Sequence, residues 1–147
     1  MRRALTALLT VTALAVPSVN AYATTTRTKA APKKKVVVVR KSLTGPAEQA
    51  SRWGEVQVTI VVRKTTTTVL ATHRSTVVRR IVALRVPQYP QHTDRSIFIN
   101  EQALPILAQE TLRAQGSSID LVSGATDTSV AFQSSLQAAI LEAKAWK

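Results

Sequence analysis

The sequence predicts an α+β domain: a twisted, mainly antiparallel sheet with two helices packed on one side. Three observations carry this. From Glu55 the chain alternates, with Val56, Val58, Ile60 and Val62 separated by Gln57, Thr59 and Val61, the period of a half-buried strand. Near the end Phe132, Leu136, Ile140 and Ala143 recur at the spacing of one helical face. A composition with 45% hydrophobic but only 4% aromatic residues calls for an aliphatic core, enough for a small two-layer domain.

Taken in order, the chain starts as an export signal. Met1-Arg2-Arg3 is positive, Ala4 to Val16 is uncharged, and Pro17 precedes the small-residue ending Ala21-Tyr22-Ala23. That layout predicts a secretory signal peptide over residues 1–23. Its apolar run is shorter than the roughly 20 residues that span a bilayer. An uncleaved anchor is the other outcome. Residues 24–43 read as a basic disordered linker, since Arg27, Lys29 and Lys33-Lys34-Lys35 repel one another and little there can be buried. Within it, Val36 to Val39 suit an edge strand. Residues 44–147 remain for the domain.

Thr44-Gly45-Pro46 is turn material. After the first strand, Thr65 to Thr76 reads as a polar, threonine-rich connection with β propensity, and Val77 to Val86 as the second strand, ended by Pro87 and Pro90. Asn100 is the expected N-cap of a helix through Leu104, Leu107 and Leu112, with Pro105 near its start and Gly116 closing it. Ser117 to Val122 is a short strand or extended entry. Thr128 or Ser129 then caps the final helix.

The formal charge of +12, with no acid before Glu48, favours polyanions: nucleic acid, anionic wall polymer or a membrane surface. Cysteine is absent, which excludes a disulfide scaffold, a thiolate metal site, a cysteine nucleophile and a lipoprotein anchor. His73 and His92 have no second ligand at metal spacing. Ser134 and Ser135 have no nearby His–Asp partners for hydrolysis. No catalytic residue and no metal ligand is therefore assigned.

Chemistry concentrates in Asp120-Leu121-Val122-Ser123-Gly124-Ala125-Thr126-Asp127-Thr128-Ser129. Gly124 permits a backbone that a Cβ would forbid, and Ser123 and Ala125 keep the surface bare. Thr126 stands just before a helix, where free N–H groups and the dipole favour a phosphate. A threonine hydroxyl is a weak nucleophile and needs a base and a metal-activated phosphoryl donor. Asp120 is the one nearby group before Thr126 that could orient such a step, so a second enzyme would have to do the work.

The pattern Asp120-x-x-Ser123-Gly124-Ala125-Thr126-x-Thr128-Ser129 resembles the flavinylation motif of the FMN-binding domain family. That domain occurs in small subunits of sodium-translocating quinone reductase and Rnf complexes, and in short exported actinobacterial proteins. The similarity extends to Trp53-Gly54-x-Val56-Gln57-Val58, Gln88-Tyr89-Pro90, Ser96-x-x-Ile99-Asn100 and Ser134-Ser135-Leu136-Gln137-Ala138-Ala139, covering about Gly45 to Ala145. The resemblance implies that an FAD-dependent flavin transferase, using magnesium, attaches FMN to Thr126 through a phosphoester. Asp120, Ser123, Gly124, Ala125, Thr128 and Ser129 would surround the attachment. It further implies an exported, extracytoplasmic electron carrier rather than a stand-alone enzyme, with redox partners in the membrane and no nucleic acid. One departure is that Arg63 to Ser75 lacks the hairpin glycine usual in the family. Another is that Asp127 puts a negative charge beside the proposed phosphate.

Trp53, Tyr89 and Trp146 are aromatic candidates to stack on the flavin ring. Arg79, Arg80, Arg85 and Arg95 are candidates to hold its phosphate or N1 region, or they line a solvated strand face. The runner-up function is an exported basic protein that binds anionic wall polymer or membrane without cofactor. A third is non-covalent FMN at the same turn.

Overall fold

Strand β3 (Glu55–Val69) is the one with which every other strand pairs. A computed structural model describes residues 32–147; the signal peptide expected over 1–23 lies outside them, as does the start of the expected linker. Antiparallel to β3 run β1 (Lys34–Thr44) and the short β2 (Glu48–Gln49), which resumes the pairing after Gly45 to Ala47. On the opposite edge β4 (Arg74–Gln88) is also antiparallel. Helices α1 (Asp94–Ala114) and α2 (Thr126–Ala145) complete the α+β fold, an antiparallel sheet of four strands and two helices.

Alternation decides which face is covered. Val56, Val58, Ile60 and Val62 of β3 are buried with Leu43 of β1 and Ile81 of β4, against Leu104 and Leu107 of α1 and Phe132 and Leu136 of α2. Both helices therefore share one side. Ala131, Ser135, Ala139 and Ala143 of α2 are all buried at four-residue spacing, and this row of small side chains lets the helix backbone lie close to the strands. At the closest point Ser135 replaces a missing ladder partner. Its Oγ accepts from the Val58 N–H at 2.9 Å and donates to the Pro46 carbonyl at 2.7 Å, where proline interrupts the strand.

Several boundaries differ from the sequence expectation. The linker expected over 24–43 is strand from Lys34 onward. Four valines need pairing partners for their backbone, and β3 supplies them: Val36, Val37 and Val38 pair Thr67, Thr66 and Thr65, and Val39 pairs Lys64. The polar connection expected over Thr65 to Thr76 is mostly ladder as well. The reversal is confined to Leu70 to His73, and His73 takes the positive φ of 51° that the missing glycine would have supplied. Pro87 lies within β4 rather than ending it, which an edge strand tolerates.

The first helix begins earlier than Asn100. Thr93 caps it, its Oγ1 accepting from the Ser96 N–H at 3.1 Å. Pro105 consequently sits in the helix interior, on the exposed side where water can reach the carbonyl it leaves unpaired. The helix ends at Gln115, not Gly116. Gln115 takes a left-handed φ of 54°, and its side-chain amide pairs with both backbone groups of Ile81 at 2.8 and 3.0 Å. An edge strand thereby gains a partner and the helix gains an end. Ser117 to Val122 forms no strand.

Candidate functional site

The loop between the helices is held from below. Ile119 and Val122 pack against the core, and Gln133 donates to the Ile119 carbonyl. The chain then turns from Val122 to Ala125, closed by the Ala125 N–H donating to the Val122 carbonyl at 3.0 Å. Gly124 occupies the position that requires positive φ, here 82°. A Cβ added there would meet nothing within 4 Å, so the requirement is conformational and not steric crowding. Ser129, fully buried, staples this turn: its Oγ accepts from the Val122 N–H at 3.1 Å and donates to the Ala125 carbonyl at 2.8 Å.

Helix α2 starts at Thr126 with Ala125 at the cap position, where no side chain bonds to the first turn. Thr128 and Ser129, expected as caps, lie inside the helix with hydroxyls committed elsewhere. The reason is the staple: once Ser129 holds the turn, the helix must begin above it. Thr128 donates to the Asn100 Oδ1 at 2.9 Å, and Asn100 Nδ2 donates to the Pro90 carbonyl at 2.9 Å. Asn100 is buried, and this chain of bonds joins the start of α2, the middle of α1 and the end of β4.

The starts of both helices and the segment that follows β4 wall a cavity of about 320 Å3. Thr126, Gly124, Ala125, Asp127 and Thr128 line one side, and Thr93, Arg95, Ser96, Ile99 and Asn100 the other, with Trp53 and Pro90 between. Two helix N-termini thus border one cavity. The α1 terminus is capped by its own Thr93, whereas the α2 terminus has no cap among the described residues. Its first-turn N–H groups and the positive end of its dipole suit an anion at Thr126. Thr126 is exposed, so its hydroxyl is accessible from outside.

Of the residues expected at the site, Gly124, Ala125, Thr126 and Thr128 line the cavity, while Asp120, Ser123 and Ser129 do not. Asp120 is exposed, and its backbone N–H reaches Glu110 Oε2 at 3.3 Å. Among the aromatic candidates Trp53 alone lines the cavity; it stacks with His92 at 6.1 Å between ring centres, and Arg52 lies 4.7 Å from its ring centre. Tyr89 packs against the core. Trp146 lies at the far end of α2, with Lys64 4.9 Å and Lys41 5.9 Å from its ring centre. Of the arginines, only Arg95 lines the cavity. Asn100 had a sequence signal, a lone amide on an apolar helical stripe, although capping was the role expected of it. Thr93 had none, and Pro90 figured in the sequence only as a strand end and as part of the resemblance; the docking of α1 against α2 brings both to the cavity.

Asn100→Ala would leave the Thr128 hydroxyl and the Pro90 carbonyl without their partner. The expected loss is about 2 kcal/mol, since an orphaned buried polar group costs roughly 1–3 kcal/mol. Urea denaturation followed by circular dichroism measures it, and a midpoint equal to wild type would exclude the network as a stabilising element.

Compared with known proteins, the chain matches no protein-family model and no curated protein sequence.

Proposed function

We propose that this protein is an extracytoplasmic electron carrier bearing FMN in phosphoester linkage to Thr126. The observation that carries the reading is the uncapped start of α2: an exposed threonine hydroxyl beside free helix N–H groups, at the rim of a cavity. A phosphodiester there keeps one negative charge, which the helix dipole and Arg95 stabilise.

The residues present fit the group in size and chemistry. A cavity of about 320 Å3 falls at the small end of the roughly 300–1,000 Å3 typical of cofactor sites, so part of the ligand would remain outside. For a carrier this is useful, because an exposed ring edge can exchange electrons with a partner. Trp53 offers an aromatic surface, and Asn100 and Thr128 set the cavity wall. Attachment forms the bond from Thr126 Oγ to the FMN phosphorus of FAD, breaks the pyrophosphate bond and releases AMP; the hydroxyl proton leaves to a base of the transferase. Bound flavin supplies one- and two-electron exchange. The chain's own residues bind, orient and tune.

Co-expression of the full chain with a flavin transferase tests this. The expected product keeps yellow colour and in-gel fluorescence through denaturation, and its mass rises by one FMN less water. Flavin that washes out on denaturation would mean non-covalent binding. A colourless product, under conditions that modify a known acceptor, would refute the reading.

A further inference from the structure

The face of the sheet opposite the helices carries an arrangement that the cofactor reading does not use. Residues opposite one another in the ladder share a face, and the register sets them in rows. Lys41, Val62 and Ile81 form one row, and burial of Val62 and Ile81 assigns it to the helix side. The next row, Arg40, Arg63 and Arg80, must then point outward. Three guanidinium-bearing side chains stand side by side there, on strands about 4.8 Å apart. Beyond them on the same face lie Val38, Thr65 and Val78, then Val36, Thr67 and Thr76, then Lys34, Val69 and Arg74.

Charge in these rows has one sign, and the one acid on the outward positions of β3, Glu55, stands at the far end of the strand. No Asp or Glu occurs between Glu55 and Asp94 or before Glu48, so none can neutralise the rows from within β1, β4 or the rest of β3. Among the described residues the only ion pair is Lys41–Glu142, on the helix side. The two rows between the cations mix three valines with three threonines, and Val36, Val38 and Val78 are 57%, 53% and 57% exposed. Isolated exposed valines need no explanation, but three in two adjacent rows bracketed by cations do.

We propose that this face is a docking surface for an anionic membrane, with the arginine row at the lipid phosphates and the valines at the headgroup boundary. Arginine pairs with phosphate oxygens through two N–H groups at once. The valines gain by leaving water, which a soluble polyanion would not offer them. Combined basic and apolar contact is the chemistry of interfacial binding. The surface stands about one helix length, roughly 30 Å, from the cavity at Thr126, because Arg79 of the same ribbon donates to the Trp146 carbonyl at the opposite end of α2. The cavity is lined by the starts of both helices, which cover the opposite side of the sheet from this face.

Absence of cysteine allows a face-specific probe. The full chain carrying Thr67→Cys with an environment-sensitive dye reports from the outward face, and Gln137→Cys reports from the exposed side of α2. Mixed phosphatidylglycerol–phosphatidylcholine vesicles should blue-shift the first dye and leave the second unchanged; phosphatidylcholine alone should shift neither. Replacing Arg40, Arg63 and Arg80 together by Gln should weaken vesicle binding roughly 100-fold, and Val38→Thr with Val78→Thr roughly fivefold. Melting curves confirm that these exposed changes leave the fold intact. An equal shift on phosphatidylcholine, or unchanged binding after the arginine replacements, overturns the proposal. So does a valine pair without effect while polyphosphate competes fully, an outcome that assigns the face to a soluble polyanion. Thr126→Ala should bind vesicles as wild type does, so neither reading depends on the other.

Discussion

Thr126→Ala is expected to leave co-expression with a flavin transferase without denaturation-resistant flavin, a complete loss where the proposed function predicts one flavin per wild-type chain. The substitution removes the one oxygen that would become the ester. It should not disturb the fold. Thr126 is exposed at the first position of α2 and makes no side-chain cap bond, and alanine is a good helix former. Stability should stay within about 0.5 kcal/mol of wild type. Thr126→Ser keeps the hydroxyl and should retain attachment, at a reduced rate where the transferase reads the methyl group. An alanine variant that still holds flavin through denaturation would move the attachment elsewhere. A variant that loses flavin only because it unfolds would show its lost stability in the same denaturation curve.

Gly45→Ala should be severely destabilising, by about 3 kcal/mol or more. An alanine Cβ at this position would stand 2.1 Å from the Ser135 carbonyl oxygen and 2.7 Å from its Oγ. Both are fixed. The carbonyl belongs to the backbone of α2, and the hydroxyl bridges Val58 and Pro46. Relief would require α2 to lift from the strands, which opens the packing around Phe132 and Leu136 and breaks the Val58 bond. Gly45 also donates to the Val58 carbonyl at 2.8 Å, so moving its backbone would not be free either. Chemical denaturation gives the cost directly. A Gly45→Ala protein as stable as wild type would show that α2 can shift without penalty. Because α2 also carries Thr126, the variant should lose flavin attachment in proportion to its unfolded fraction, unlike Thr126→Ala, which stays folded.

Much of the architecture was legible because side-chain period reports burial. The alternation from Val56 to Val62 marked the inner face of β3 correctly, and the stripe through Phe132 and Leu136 marked the buried side of α2. The threonines from Thr65 to Thr68 misled, because their polarity suggested a connection. They are strand because β-branched residues accept ladder geometry and have β1 and β4 on either side. Lys34 and Lys35 misled in the same way. Their charge argued for a linker, yet lysine at an exposed edge is also what keeps a valine-rich strand from pairing with other chains.

The turn at Gly124 and the hydroxyl of Thr126 were readable from residue order alone, since a positive-φ glycine and a helix start are local features. Local order also marked the two periodic elements and the excess of positive charge. Tertiary structure decided the rest. Whether Ser129 caps α2 or staples the turn beneath it depends on where Val122 lies. Whether Asn100 caps α1 or sits inside it depends on Pro90 and Thr128, ten residues before it and twenty-eight after. Three arginines far apart in the chain became one row only when the strands chose a register. Period and propensity act over a few residues, whereas hydrogen-bond partners and shared faces are set by segments that meet only after the core has formed.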